Sequence, residues 1–449
     1  MSYQRYLPFL FLTIFSTLVQ AAESNDWQTD YSGSVRVRYN SLNNQFRPGL
    51  GHNDQALSFL TLLKAEASRG NWTVVGELED ARDYLNDEDS ALTTIEINTL
   101  EPLQAYVQYQ AETGAGELTI KGGRQTMDLG SRRLVARHRW RNSIANHNGI
   151  DVKWRQADGM DLEAFWVMPV LIRPADRAAL LDNRIALDDE DPDLQLWGLY
   201  YTTAVLPWRV QMEGYLLGLN EQDDPGDRET FDRELLTPGI RLLRLPASGD
   251  WDLEVELTLQ KGSRRASRNA ADTRTLDVSS RFAHLTLGYT FDTPWQLRLA
   301  LEADYGSGDD DPADANHERF DFLFGQRRAD FGPTGIYGPM GRENIRSWGL
   351  RLGFNPSPAT DGFISWRRNS LDSPVDSFSR TGIRDPLGMS GDDAGDQLEF
   401  RVRHWLIDDK ARLEVGGVWF DRGEFLETAP NANPFGDPVF FYTDITWRF

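Results

Sequence analysis

Residues Phe440-Phe-Tyr-Thr-Asp-Ile-Thr-Trp-Arg-Phe449 alternate apolar and polar side chains, carry aromatics near both ends and stop on a phenylalanine. Taking Phe441, Thr443, Ile445, Trp447 and Phe449 as one face leaves Tyr442, Asp444, Thr446 and Arg448 on the other. That is the period of two a strand needs when lipid lies on one side and water on the other. A soluble edge strand has the same local pattern, so the rest of the chain has to decide.

Upstream, the same alternation bounded by Gly, Pro, Asn and Asp marks eighteen strand candidates. They cover roughly 31–40, 56–68, 71–82, 101–110, 117–125, 147–156, 159–168, 194–205, 208–219, 236–245, 251–262, 276–291, 295–306, 346–354, 362–370, 396–407, 411–422 and 440–449. Trp251, Leu253, Val255, Leu257 and Leu259 oppose Asp252, Glu254 and Glu256; Tyr31, Gly33, Val35, Val37 and Tyr39 oppose Arg36 and Arg38. Charges at every second position cannot face hydrocarbon, so they line a lumen. The connections run long, short, long, short from the first to the last, as in barrels with short periplasmic turns and long extracellular loops. A soluble sandwich has no reason to sort its loops by parity. The expected fold is therefore an all-β, transmembrane, antiparallel up-and-down barrel in the outer membrane of a Gram-negative bacterium, with eighteen strands and sixteen as the alternative. Trp and Tyr near strand ends, such as Trp27, Trp72, Trp154, Trp208, Trp251, Trp295, Trp348, Trp366, Trp419 and Trp447, fit interfacial girdles.

Residues 1–21 read as a signal peptide, with Arg5, an apolar run from Leu7 to Val19, and Val19-Gln20-Ala21 at the cleavage site. The remaining 22–449 read as one barrel domain. The chain has no cysteine, which removes disulfides and thiolate chemistry. A net charge of −22 argues against nucleic acid as a partner. Of 47 basic residues only Lys64, Lys121, Lys153, Lys261 and Lys410 are lysines. Arginine suits bidentate carboxylate recognition, although genomic base composition gives the same bias.

The six histidines are scattered and form no metal-ligand spacing. No serine stands out with a base and an orienting partner, so an enzyme is not expected. Acid runs at Asp188–Asp191, Asp309–Asp311 and Asp392-Asp393 fall in long loops. They read as a solvated outer face or as loop-bound Ca²⁺ near lipopolysaccharide phosphates, with no other cofactor expected. The densest segment is Gly123–Asn142, where Arg124, Arg132, Arg133, Arg137, Arg139 and Arg141 have almost no acid beside Asp128. Such a loop would repel itself if exposed. It is expected to fold inward, onto luminal acids or an anionic ligand.

Gly123-Arg124-Gln125, Leu129-Gly130-Ser131, Arg133-Leu134-Val135, Trp140-Arg141-Asn142 and Asn148-Gly149-Ile150 resemble the signature of the alginate export family of outer-membrane porins. Glu79-Asp80-Ala81-Arg82, Gly395–Glu399 and Gly423–Leu426 are similar to other pieces of that family's pattern. The resemblance implies a monomeric eighteen-stranded barrel whose Arg-rich constriction passes a polyuronate chain, with lipid and lipopolysaccharide around it and periplasmic secretion partners as a further implication. The residues themselves leave the oligomeric state open.

The expected function is a passive channel for an alginate-like anionic polysaccharide or other organic anions. Strand parity and motif match nominate Arg38, Lys64, Arg124, Arg133, Arg141, Arg351, Arg401 and Arg403 as constriction residues. Glu77, Glu79, Asp151, Glu254 and Glu256 are nominated as supporting luminal acids. The alternatives are a general porin, or a plugged barrel whose loops, 307–345 above all, form a surface binding platform.

Overall fold

Alternating faces of this kind settle into a sheet that buries nothing but its own hydrogen bonds, and in lipid such a sheet must close on itself. The computed structural model describes residues 27–223 and 228–449, so the expected signal peptide lies outside the described residues. Eighteen strands form the wall: β1 (Gln28–Asn43), β2 (Asp54–Arg69), β3 (Trp72–Tyr84), β4 (Asn98–Thr113), β5 (Gly116–Gln125), β6 (His147–Arg155), β7 (Asp161–Leu171), β8 (Leu194–Thr202) and β9 (Val210–Glu221). They continue with β10 (Glu234–Arg244), β11 (Asp250–Arg265), β12 (Thr275–Thr290), β13 (Arg298–Gly306), β14 (Ile345–Ser357), β15 (Thr360–Ser370), β16 (Asp393–Ile407), β17 (Ala411–Arg422) and β18 (Val439–Arg448). Two-residue ladders at Asp189–Glu190 and Asn316–His317 sit in the long loops.

Each strand pairs antiparallel with its chain neighbours, and β18 returns to β1, from Ser34 opposite Arg448 to Asn43 opposite Val439. The terminal Phe449 extends this seam: Gly33 N–H donates to its carbonyl at 2.9 Å, and Phe449 N–H donates to Gly33 O at 3.1 Å. The count is eighteen rather than sixteen, and no edge is left to seek another chain.

The two faces fall as the alternation requires. On β18, Phe441, Ile445 and Trp447 are 42–44% exposed on the outer wall, while Tyr442 and Asp444 are at most 2% exposed inside. Trp251, Leu257 and Leu259 face outward opposite buried Asp252 and Glu256 on β11. Of the tryptophans expected in the girdles, Trp154 and Trp366 are half-buried rather than exposed, and Trp366 packs edge-on against Trp348. Eight connections have two to seven residues and nine have nine to 38, in strict alternation, with both described ends of the wall on the short-turn side.

The long loops do not all stand outside the barrel. Loop 126–146 and loop 307–344 pair with each other, Phe324 N–H donating to Leu134 O at 2.9 Å and Gln326 N–H to Arg132 O at 3.0 Å. Leu129, Leu134 and Val135 of the first, with Phe320 and Phe322 of the second, pack on Leu196, Tyr215, Leu217 and Phe282 of the inner wall. Phe331, Ile336, Tyr337 and Met340 pack with Phe378 and Ile383 of loop 371–392 on Leu42, Phe420, Phe440 and Tyr442. Burial of these side chains, each worth about 1.5–3 kcal/mol, holds the loops as a shelf across the bore. The only α-helices among the described residues are single turns in loops, α1 (Arg177–Leu181), α2 (Arg328–Phe331) and α3 (Glu424–Thr428), and a 3-10 turn covers Pro207–Arg209.

Candidate channel constriction

The shelf places arginines in two distinct environments, one with matched carboxylates and one without. The matched environment centres on Arg133. Its guanidinium reaches Glu256 at 2.7 Å, Asp330 at 3.1 Å and Glu254, so a residue of the third long loop is tied to β11 and to α2 in the seventh. Asp330 also binds Arg342. Burial alone would push the Asp330 carboxyl up, but Arg133, Arg342 and His284 outweigh it and hold it well below the usual carboxylate range. Around this hub Arg241 spans Glu213 and Glu254, and Arg367 spans Asp304 and Glu302. Arg351 joins at Glu302, 2.8 Å away, with its guanidinium 4.4 Å from the centre of the Phe363 ring. Each cation here has at least one carboxylate, so the network fixes the loops and leaves little charge for a solute.

Loop 126–146 is pinned at further points. Arg137 pairs with Glu77 at 2.9 Å, and Glu79 accepts the N–H of Ile144 at 2.9 Å. Arg36 donates to the carbonyls of Arg139 (3.1 Å) and Arg141 (2.7 Å), and Arg38 donates to that of Trp140 at 2.7 Å while pairing with Asp444 at 3.1 Å. Trp140 lies between two guanidinium groups, Arg38 at 3.8 Å and Arg328 at 4.5 Å from its ring centre.

The unmatched environment is carried by loops alone. Among the described residues the Arg141 guanidinium makes no hydrogen bond or ion pair, although its carbonyl accepts from Arg36. Arg327 donates only to the carbonyls of Gly338 (2.9 Å) and Met340 (2.8 Å), and Arg47 donates to Gln45 and to the Gly335 and Ile336 carbonyls. Arg380 has a single carboxylate, Glu343 at 3.3 Å, and is 45% exposed. These four groups share one field. A Cβ placed on Gly341 would stand 3.3 Å from the Cδ of both Arg327 and Arg380, and Glu96 Oε1 lies beside Gly335, next to Arg47. Burial and then Arg380 pull the Arg141 guanidinium down to about 10; burial lowers Arg47 to about 10 as well, against the pull of Glu96 and Asp54. Four arginines from loops 44–53, 126–146, 307–344 and 371–392 thus face three carboxylates, Asp54, Glu96 and Glu343. The neighbouring His138 is kept neutral, its ring pulled well below its usual value by burial and then by Arg141.

The other nominated residues are spread over the wall. Arg401 (3.2 Å) and Arg403 (2.8 Å) share Asp361 in the periplasmic half of the lumen. Lys64 faces the lumen and pairs with Glu66 at 2.8 Å. Asp151 is buried on the inner face opposite Lys121. Arg124 lies off the bore. Its register partners are Ala105 and Asn148, its row is that of exposed Ile120 and Ile150 on the outer wall, and Glu101 and Glu190 hold it at the extracellular rim. Arg47, Arg327, Arg380 and Trp140, which matter most to the unmatched cluster and its support, carry no period in the sequence. The one trace is the shortage of acid around Arg141.

The acid runs serve mostly as turn partners: Asp188 accepts from Asn98 and from the N–H of Arg173, and the N–H of Asp309 donates to Asp376. Among the described residues no group of three or more His, Asp or Glu side chains is gathered around a common point.

The fold is shared with solved porins of low sequence similarity. OccAB2 of Acinetobacter baumannii matches with a TM-score of 0.60 at 11% identity, over 94% of this chain and 98% of that one. OccK8 (OprE) of Pseudomonas aeruginosa matches at 0.57 and 12%, and the outer membrane protein opdK of the same organism at 0.56 and 14%, each again over 94% and 98%. A search of curated proteins returned no match. The profile of the alginate export family matches residues 28–434, nearly the whole described wall. The chain belongs to the alginate export family of outer-membrane β-barrels.

Proposed function

We propose that this barrel is an anion-selective diffusion channel of the outer membrane, passing an acidic polysaccharide of the polyuronate type or smaller organic anions. The observation that carries this reading is the charge imbalance at Arg47, Arg141, Arg327 and Arg380, where four guanidinium groups meet three carboxylates, Asp54, Glu96 and Glu343. A carboxylate passing these loops replaces missing counter-charge, while the exposure of Arg380 keeps its contact solvated and weak enough for release. The matched network around Arg133 acts as scaffold. The inward fold of loop 307–344 weighs against a surface platform, because its apolar residues are spent inside the barrel.

The test is single-channel recording of the refolded protein in a planar bilayer. Anion-selective reversal potentials and block by a polyuronate hexamer, with no block by a neutral maltohexaose, support the proposal. Cation selectivity, or block that ignores charge, overturns it.

A further inference from the structure

The outward tryptophans of the wall belong to the membrane interface, but Trp405 does not. It follows Gln397, Glu399, Arg401 and Arg403 on the inward row of β16, and it is half-buried near the short-turn end of the lumen. A bulge between Trp405 and Ile407 breaks the ladder to β17 just beside it, the kind of irregularity that re-aims a side chain. Two guanidinium groups approach its ring, Arg448 at 5.0 Å and Arg412 at 5.8 Å from the centre. Both come from β17 and β18. On the β15 side the Trp405 backbone N–H donates to the Ala359 carbonyl at 2.8 Å. Among the described residues Arg448 has no carboxylate partner, and Arg412 reaches Glu414 only at 3.7 Å. Along this wall Arg36, Arg38, Arg401, Arg403, Arg412 and Arg448 face four carboxylates, Asp361, Glu399, Glu414 and Asp444, and Glu399 is taken by Arg328 of loop 307–344.

We infer that Trp405, Arg412 and Arg448 form a sugar-acid subsite at the periplasmic mouth, the indole stacking on a pyranose ring while the guanidinium groups take its carboxylate. An aromatic face with cations beside it offers two recognition elements that one hexuronate residue satisfies together: an apolar ring face of axial C–H groups and an equatorial-side carboxylate. A small aliphatic acid satisfies only the second. The subsite therefore separates glycan from other anions at the end where an exported chain enters. It rests on the channel reading above and specifies the substrate class.

The test compares block by hexamannuronate with block by hexaglutamate, each added on the short-turn side, in the native protein and in W405A and W405F. The expected result is a five- to tenfold shorter hexamannuronate dwell time in W405A, partial recovery in W405F, and hexaglutamate dwell times unchanged in both. Equal loss for the two polyanions, or an unaltered hexamannuronate dwell time in a W405A channel of native conductance, overturns the subsite and leaves the channel reading standing. If neither polyanion blocks the native protein, the channel reading falls first and the subsite with it.

Discussion

The guanidinium of Arg38 lies 3.8 Å from the ring centre of Trp140, and the same group donates at 2.7 Å to the carbonyl of that residue. One side chain of the first strand thereby holds both the ring and the backbone of a loop a hundred residues downstream. Arg328 also lies over the ring, 4.5 Å from its centre, and Tyr442 packs edge-on with the two ring centres 4.6 Å apart. Trp140→Ala should loosen loop 126–146, costing about 2–3 kcal/mol from lost packing and cation–π contact. Limited proteolysis should then cut within that loop, and the open-channel current should become noisier.

Arg133 holds three carboxylates at once, so its removal strands them. Arg133→Gln should cost about 3–5 kcal/mol, the range for breaking a buried pair from one side. Arg133→Glu should be worse, adding a fourth acid to the hub. Thermal unfolding in detergent measures the difference, and a neutral result would remove Arg133 from the scaffold.

Arg141 should behave oppositely. Its guanidinium holds nothing, so Arg141→Gln should leave stability within about 0.5 kcal/mol of the native protein. Reversal potentials under a salt gradient should nonetheless shift toward cation permeability, further still in Arg141→Gln/Arg380→Gln. Unshifted potentials in the double variant would mean that the pathway bypasses these loops.

The contrast between these two arginines also marks what the sequence reveals. Strand placement was legible because lipid and water enforce a period of two at every turn of the wall, and Phe441, Asp444 and Ile445 obey it. Arg124, nominated with the others by strand parity and motif match, instead shares the outer row of Leu118 and Ile120, and its guanidinium turns to Glu101 and Glu190 at the rim. Nothing local distinguishes Arg133 from Arg141. Their difference arises from Glu254, Glu256 and Asp330, which lie more than a hundred positions away, and from loop packing that no short period encodes. Trp405 was hidden for a similar reason: it sits at a strand end like the girdle tryptophans, and only its row sets it apart.

Selectivity should depend on pH. Burial pushes the Glu96 carboxyl up to about 7, against hydrogen bonds from Thr93 and the pull of Arg141 and Arg47. As pH falls from 8 to 6 this carboxylate takes up a proton, the cluster loses one of its counter-charges, and anion preference should rise. His138, already neutral, adds nothing over that range. Glu96→Gln should hold the low-pH selectivity at all pH values; a native pH response persisting in that variant would assign the titration to another group.

Gly33 permits the seam. A Cβ there would stand 2.7 Å from the Phe449 ring and 2.8 Å from the Leu62 carbonyl, so Gly33→Val should displace the terminal phenylalanine or the strand and cost about 1–3 kcal/mol. Refolding into vesicles, followed by the heat-modifiable shift in electrophoretic mobility, should be slower than for the native chain.

The loop that builds the constriction comes from the middle of the chain, yet its anchors Arg36, Arg38, Asp444 and Tyr442 belong to the first and last strands. A nascent barrel lacking its final strand therefore holds this loop through Arg133, Arg137, Arg36 and Arg38 but lacks Asp444 and Tyr442, which steady Arg38 and Trp140, so its filter is incomplete. Maturation of the filter coincides with closure of the seam, so a stalled assembly intermediate would be a leak in the cell envelope, and the event that completes the wall also ends its permeability to the wrong solutes.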